Sequence, residues 1–190
     1  MKTYGRLLDE AFTLGEAMRK EKLEMLAGNM SPPRTSFQCV DAMEISLCIE
    51  KEGLFFYESA GKKVQNPKVR EMFSRLAGEE REHIQILKEK SQFLQPVIVN
   101  RSRPKERLER FMVEELEGKI FPSLNDSAMK NIKSDKQALE LGIDSEKRSI
   151  AMLQELLEKE KKLDVKAIFS HLMVEEKKHL ALLEDLKKQL

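Results

Sequence analysis

Glu50 is followed thirty residues later by Glu80-Arg-Glu-His83, and Glu146 is followed at the same distance by Glu176-Lys-Lys-His179. Each position in the first set lies 96 residues before its counterpart in the second. One Glu-x-x-His means little in a chain so rich in Glu. Two copies, each preceded by a lone Glu inside an apolar helical stretch, supply four carboxylates and two imidazoles. That is a ligand set for a pair of metal ions in a helical bundle. Glu80 and His83 project from one face of a helix about a turn apart, as do Glu176 and His179. Glu50 and Glu146 sit among apolar neighbours, where an unpaired carboxylate is costly to bury. Four glutamates facing one core repel and take up protons unless cations neutralise them, and two divalent ions do so. Carboxylate with imidazole suits iron or manganese, and zinc also fits. Glu79 and Glu175, each four residues before its His, offer an alternative register for the ligand.

These residues need helices to carry them. The first site helix is expected from about Val40 to Lys63, and Asn66-Pro67 breaks it, with Pro67 suited to the first turn of the next. That second helix continues to about Phe93, and Pro96 stops it. A third long helix is expected from about Asp135 to Lys161, capped by Ser134 or Asp135. A fourth starts near Asp164, whose carboxylate can cap it, and runs to the C-terminus. Short connections make each pair an antiparallel hairpin, 38–95 and 135–190. A long crossover, 96–134, joins them and holds one short helical pattern from Glu106 to Gly118. The repeat extends past the ligands: Ala42-Met-Glu-Ile45 matches Ala138-Leu-Glu-Leu141, and Val69, Phe73 and Leu76 recur as Val165, Phe169 and Leu172. A duplicated two-helix unit explains this. Residues 1–37 read as an N-terminal segment, in which an amphipathic helix over 3–27 places Leu7, Ala11, Leu14, Met18 and Met25 near one face. A linker containing Ser31-Pro-Pro-Arg34 follows.

The set Glu50-Lys-Glu-Gly-Leu-Phe-Phe-Tyr57, Glu80-x-x-His83, Glu146 and Glu176-x-x-His179 resembles the rubrerythrin branch of the ferritin-like di-iron carboxylate proteins. The resemblance covers roughly 38–95 and 135–190. It implies an all-α, ferritin-like four-helix bundle, here with an extra N-terminal helix, holding two iron ions. It further implies that Glu80 and Glu176 bridge, that Glu50 and Glu146 are mainly terminal, and that His83 and His179 each bind one iron. The activity it implies is an oxidoreductase acting on peroxide or dioxygen. Iron handling as a ferroxidase or store is the alternative, and a helical protein that binds metal without turnover is a third reading. Rubrerythrins proper carry a rubredoxin-like module with two Cys-x-x-Cys pairs, and this chain has none, so an external electron-donor protein is expected. The family often places a Tyr seven residues after each lone Glu. Tyr57 fills that place in the first half and is the candidate catalytic residue, hydrogen bonding to a carboxylate of the other hairpin; Leu153 fills it in the second.

Composition narrows the rest. The 190 residues hold 34 Lys and Arg against 33 Asp and Glu, a net charge of +1, which gives no electrostatic case for nucleic acid or a membrane surface. No apolar run is long enough to span a bilayer, and the N-terminus lacks a signal-peptide core. Cys39 and Cys48 make no disulfide framework, so a reduced, cytoplasmic setting is expected, with a homodimer or larger homo-oligomer as the assembly. Cys48 reads as a buried thiol, His171 as a surface residue, the methionines as core filling, and Glu158-Lys-Glu-Lys-Lys162 as a solvated helix end.

Overall fold

The computed structural model describes residues 37–93, 105–123 and 126–190. The expected N-terminal helix and its linker lie outside the described residues, save Phe37, as does the beginning of the crossover. All regular structure among the described residues is helical. Four long helices carry the site: α1 (Cys39–Gly61), α2 (Pro67–Phe93), and, beyond the crossover, two more. The crossover contributes α3 (Lys105–Phe111), which widens into a π-helical turn over Met112–Leu116, and the short α4 (Ser127–Lys130). The last two long helices are α5 (Asp135–Lys159) and α6 (Leu163–Lys188).

Helix boundaries follow local chemistry. The Asp41 carboxylate accepts the Gln38 N–H at 2.8 Å, satisfying one donor of the first turn of α1. Asn66 Oδ1 takes the Lys68 N–H at 2.9 Å, and Pro67, which has no N–H to lose, opens α2. The Ser134 hydroxyl accepts from Gln137 N at 3.2 Å at the start of α5. The π-helical turn ends on Gly118, whose φ of 68° is a backbone state that glycine adopts without Cβ strain.

Two sequence expectations change at the α5–α6 turn. Asp164 is not the cap of α6: the helix begins at Leu163, and Asp164 accepts from Val165 N and from the Cys39 thiol. Glu160 is not solvated. It is 3% exposed and accepts the backbone N–H groups of Phe37, Lys161 and Lys162, while Lys162 Nζ donates to the Phe37 carbonyl. Within a charged run, Glu160 is the one acid that ties the turn to the start of α1, and only the tertiary contact distinguishes it. Cys48 is half-buried rather than buried, and His171 is exposed.

Packing is densest within each pair, α1 on α2 and α5 on α6, with α1 also lying against α6 and α5, and α2 against α6. The core runs along their inward faces through Ile45, Phe56, Phe73, Leu139, Leu153 and Phe169. Phe121, from the crossover, adds its ring to Phe56 and Tyr57, with centroids 5.7 and 6.1 Å away. This aromatic group sits beside the polar centre and closes it on the crossover side.

Candidate metal centre

Six side chains from four helices meet in the core: Glu50 from α1, Glu80 and His83 from α2, Glu146 from α5, and Glu176 and His179 from α6. The four carboxylates and His179 are at most 2% exposed, whereas the His83 side chain is 20% exposed. Helical periodicity explains the convergence. Each Glu-x-x-His occupies one face, and the lone Glu of the neighbouring helix faces it across the hairpin.

The six fall into two groups that share one member. Glu50, Glu80 and His83 can each place one ligand atom within 4.8 Å of the others. So can Glu80, Glu146, Glu176 and His179. The first group comes wholly from the α1–α2 hairpin. The second takes three residues from α5–α6 and borrows Glu80. Glu176 is in the second group only, and its Oε1 accepts the Ser149 hydroxyl at 2.9 Å. Both imidazoles turn Nδ1 inward: His83 Nδ1 is 3.2 Å from Glu50 Oε2, and His179 Nδ1 is 3.2 Å from Glu80 Oε1. The two rings stack nearly parallel, with centroids 5.8 Å apart. Glu79 and Glu175 join neither group and stand on the outer, Nε2 side of the rings.

Crowding of acids in a dry core sets the electrostatics. Burial pushes Glu80 well above the usual carboxylate range, and its hydrogen bond with Glu50 and the charge of Glu50 push the same way. Burial also raises Glu146 strongly, with the Glu176 charge adding to it. Glu176 rises to about 6, again through burial, moderated by hydrogen bonds from Glu146 and Ser149. Glu80 in the first hairpin and Glu146 in the second are thus carboxyls that keep a proton when only protein surrounds them. The hydrogen bond to Glu50 raises His83, while burial lowers His179 and keeps its imidazole neutral.

Tyr57 is fully buried and its hydroxyl donates to Glu146 Oε1, from the first hairpin to the second. Burial raises the phenol well above its ordinary value, so it holds its proton. Leu153, at the matching place in α5, is fully buried and has no group to donate.

The donor set can be tested against a metal by what it leaves unsatisfied. Among the described residues, Glu146 Oε2, Glu176 Oε2 and both ring nitrogens of His179 are buried without a hydrogen-bond partner. Such atoms are costly in a protein core unless a cation or donor meets them. Carboxylate oxygens and a neutral imidazole nitrogen, aimed at a common point, can hold a divalent transition metal.

Comparison with known proteins agrees with this arrangement. A family model described as Rubrerythrin matches residues 41–187, which span all four long helices apart from the first two residues of α1 and the last of α6. The chain belongs to the Rubrerythrin family. No curated protein and no solved structure matches the chain. The matched region contains every member of both carboxylate–imidazole groups. No described helix is long and apolar enough to cross a membrane.

The structure brings together the six residues named from the sequence and places the Tyr57 hydroxyl on one of them, Glu146. Sequence reasoning missed Ser149, which holds Glu176, and Gly53, which leaves Glu80 room. Both were findable, because they occupy the same place, 96 residues apart, three positions after each lone Glu.

Proposed function

We propose that this chain binds two iron ions and reduces peroxide or dioxygen with electrons from an external donor protein. Glu50, Glu80 and His83 would hold one ion, and Glu146, Glu176 and His179 the other, with Glu80 reaching both. The observation that carries this reading is the sharing of Glu80 between two carboxylate–imidazole groups, the second of which leaves Glu146 Oε2, Glu176 Oε2 and both His179 ring nitrogens buried without a hydrogen-bond partner. Bound iron supplies one-electron redox chemistry toward peroxide or dioxygen. With peroxide, two electrons and two protons yield two molecules of water. An external protein is the proposed electron donor, as these 190 residues hold no Cys-x-x-Cys pair.

The protein's own contributions follow from its side chains. Four glutamates offset the ionic charge, so the filled core approaches neutrality. Tyr57 holds a proton on its hydroxyl and fixes Glu146 Oε1. Phe121, Phe73 and Leu153 exclude water from the Tyr57 side. The His83 edge is the more exposed one, and there a small oxidant enters. A homodimer or larger homo-oligomer is the proposed assembly, supported by exposed Phe55 on α1 and Ile86 on α2.

Elemental analysis of protein purified without chelators tests the metal, and Glu80→Ala tests the shared ligand. About two iron ions per chain, lost in Glu80→Ala, is the expected result. Ferrous protein mixed with peroxide should oxidise once and stop, and a reduced rubredoxin-like donor should sustain consumption. Full metal retention in Glu80→Ala would overturn the assignment. A hollow multimer carrying many irons per chain would move the protein to iron storage.

A further inference from the structure

Three serines are fully buried among the described residues, and two of them have partners. Ser145 Oγ donates to the Leu141 carbonyl at 2.9 Å, within its own helix, and Ser149 Oγ donates to Glu176 Oε1. Ser46 Oγ, on α1, has no partner. A helical serine can return its hydroxyl to the carbonyl four residues back, as Ser145 does, and Ser46 does not. Its counterpart in the repeat is Gly142, where an added Cβ would lie 3.4 Å from both Leu183 Cδ1 and Phe56 Cε1. The second hairpin thus packs this place with apolar groups and no hydroxyl. Alanine at 46 would favour the helix more than serine does, so the oxygen itself needs a reason.

Ser46 and Glu50 are one turn apart on α1 and share a face. Helix α5 runs antiparallel to α1: Phe37, before α1, binds Glu160, just past α5, and Gln65, beyond α1, binds Asp135 at the head of α5. Ser46, before Glu50, and Leu153, after Glu146, therefore lie on one side of the four carboxylates, and Tyr57 lies on the other. The Tyr57 side is closed by the buried rings of Phe56 and Phe121. The Ser46 side is looser. The repeat puts Leu87 and Met152 about Ser46 where Leu183 and Phe56 surround Gly142, and these two are half-buried where their counterparts are fully buried. Leu87 also follows half-buried His83 by one turn of α2, so this side opens at the His83 edge. We propose that Ser46 Oγ binds a small neutral molecule bearing O–H groups, water or hydrogen peroxide, between the His83 edge and the site. A hydroxyl offers one donor and two acceptor positions, and both molecules can meet either kind. No Lys or Arg is buried among the described residues, which disfavours an anion there.

The inference rests on the peroxide reading only for what the molecule is for; the binding itself needs no metal. Crystals of the metal-free protein, with and without a hydrogen peroxide soak, show what meets Ser46 Oγ. One ordered molecule within hydrogen-bond distance is expected in the parent chain, and none in Ser46→Ala. One-atom density that the soak leaves unchanged identifies water, and two-atom density after the soak identifies peroxide. With peroxide as the ligand, Ser46→Ala loaded with ferrous iron should need about two- to tenfold more peroxide for half-maximal oxidation, with a smaller change in the limiting rate. Calorimetry gives an independent reading. Removing a stranded hydroxyl from an apolar core should raise the melting temperature by roughly 2–4 °C or more, whereas removing a satisfied one should leave it level or lower it. An Oγ bonded only to protein, a molecule held equally well in Ser46→Ala, or a melting temperature raised by that amount would overturn the assignment. A parent chain that takes up no iron yet holds the molecule at Ser46 would sink the metal reading and leave this one standing. Iron bound with nothing at Ser46 would do the reverse.

Discussion

Glu52 and Arg148 occupy matching positions in the two hairpins, 96 residues apart, and hold the same stretch of crossover from opposite chemical sides. Glu52 Oε1 accepts the Gly118 N–H at 3.3 Å and also faces the Phe121 N–H. Arg148 Nε donates to the Ile120 carbonyl at 2.9 Å, and its Nη2 donates to Ser145 Oγ at 2.9 Å. A symmetric pair of helical hairpins has only one crossover to bind. An acid in one copy and a base in the other serve the donor and acceptor sides of one peptide segment. The reward is the position of Phe121, whose ring completes the aromatic wall against Phe56 and Tyr57.

Arg148→Ala should loosen this segment. Its guanidinium lies at the surface, so water takes over part of the lost bonding and the cost is about 1 kcal/mol. For a chain of this length that corresponds to a melting temperature lower by roughly 2–4 °C. Arg148→Lys keeps the charge but not the two-pronged geometry and should recover only part of the loss. Calorimetry on the three proteins decides it, and equal melting temperatures would mean that the Ile120 contact contributes nothing.

The metal-free protein should lose stability as pH rises. Glu80 and Glu146 are raised well above the ordinary carboxylate range, Glu176 to about 6 and Glu52 to about 7, chiefly by burial. Each binds its proton more tightly folded than unfolded. Their contribution is complete below the unfolded value near 4.5 and disappears as pH climbs through 6, 7 and beyond. His83, raised by Glu50, acts in the same direction, with stability present below 6.5 and lost above its folded value. His179, lowered by burial, opposes them by costing stability as pH falls below 6.5. Four acids outweigh one imidazole. Urea midpoints should therefore fall between about pH 5.5 and about pH 8.5, and ferrous or manganous ion should restore the upper end by binding the folded state. A flat profile with no response to metal would contradict the buried-acid picture.

Tyr57→Phe removes the hydroxyl that donates to Glu146 and leaves a buried carboxylate oxygen short of a donor. In the metal-free protein this should cost about 1–3 kcal/mol. The metal count should stay near that of the parent chain, because Tyr57 is in neither carboxylate–imidazole group. The rate of ferrous oxidation by peroxide should change by about ten- to a hundredfold, as for other groups that orient a ligand. Unchanged kinetics in stopped-flow mixing would reduce Tyr57 to a packing residue.

Much of the fold was legible because two codes coincide. Asn66-Pro67, Ser134 and the apolar periodicity mark the helices, and the 96-residue repeat pairs their polar exceptions. Glu50 and Glu146 stand out since each is an acid in an otherwise apolar face. Glu160 could not be read this way. It sits in a charged run, and its burial depends on the Phe37 N–H, 123 residues away. The exchange of Glu52 for Arg148 looks like ordinary surface drift until the crossover is seen lying between hydrogen-bonding groups of both. The π-helical turn at Met112–Leu116 likewise has no local signal, since its residues suit an α-helix equally well.

The same repeat exposes an asymmetry between Glu80 and Glu176. Ser149, three positions after Glu146, donates to Glu176 Oε1. Gly53, three positions after Glu50, has no side chain, and a Cβ built there would lie 3.0 Å from Glu80 Oε1 and 3.4 Å from Phe121 Cζ. Glycine at this helical position costs about 1 kcal/mol relative to alanine, so the absence of a side chain needs a reason. The carboxylate of Glu80 is the far end of a flexible side chain and can swing aside, so Gly53→Ala should leave the metal-free protein as stable as the parent or slightly more so. The displaced Glu80, however, is the residue common to both groups. Metal affinity should therefore fall while the melting temperature of the metal-free protein holds or rises. Cobalt(II) titration and calorimetry on the same preparation test the split. Loss of both stability and affinity would point to a clash with Phe121 instead, and retention of both would show that Glu80 does not need the space that Gly53 leaves.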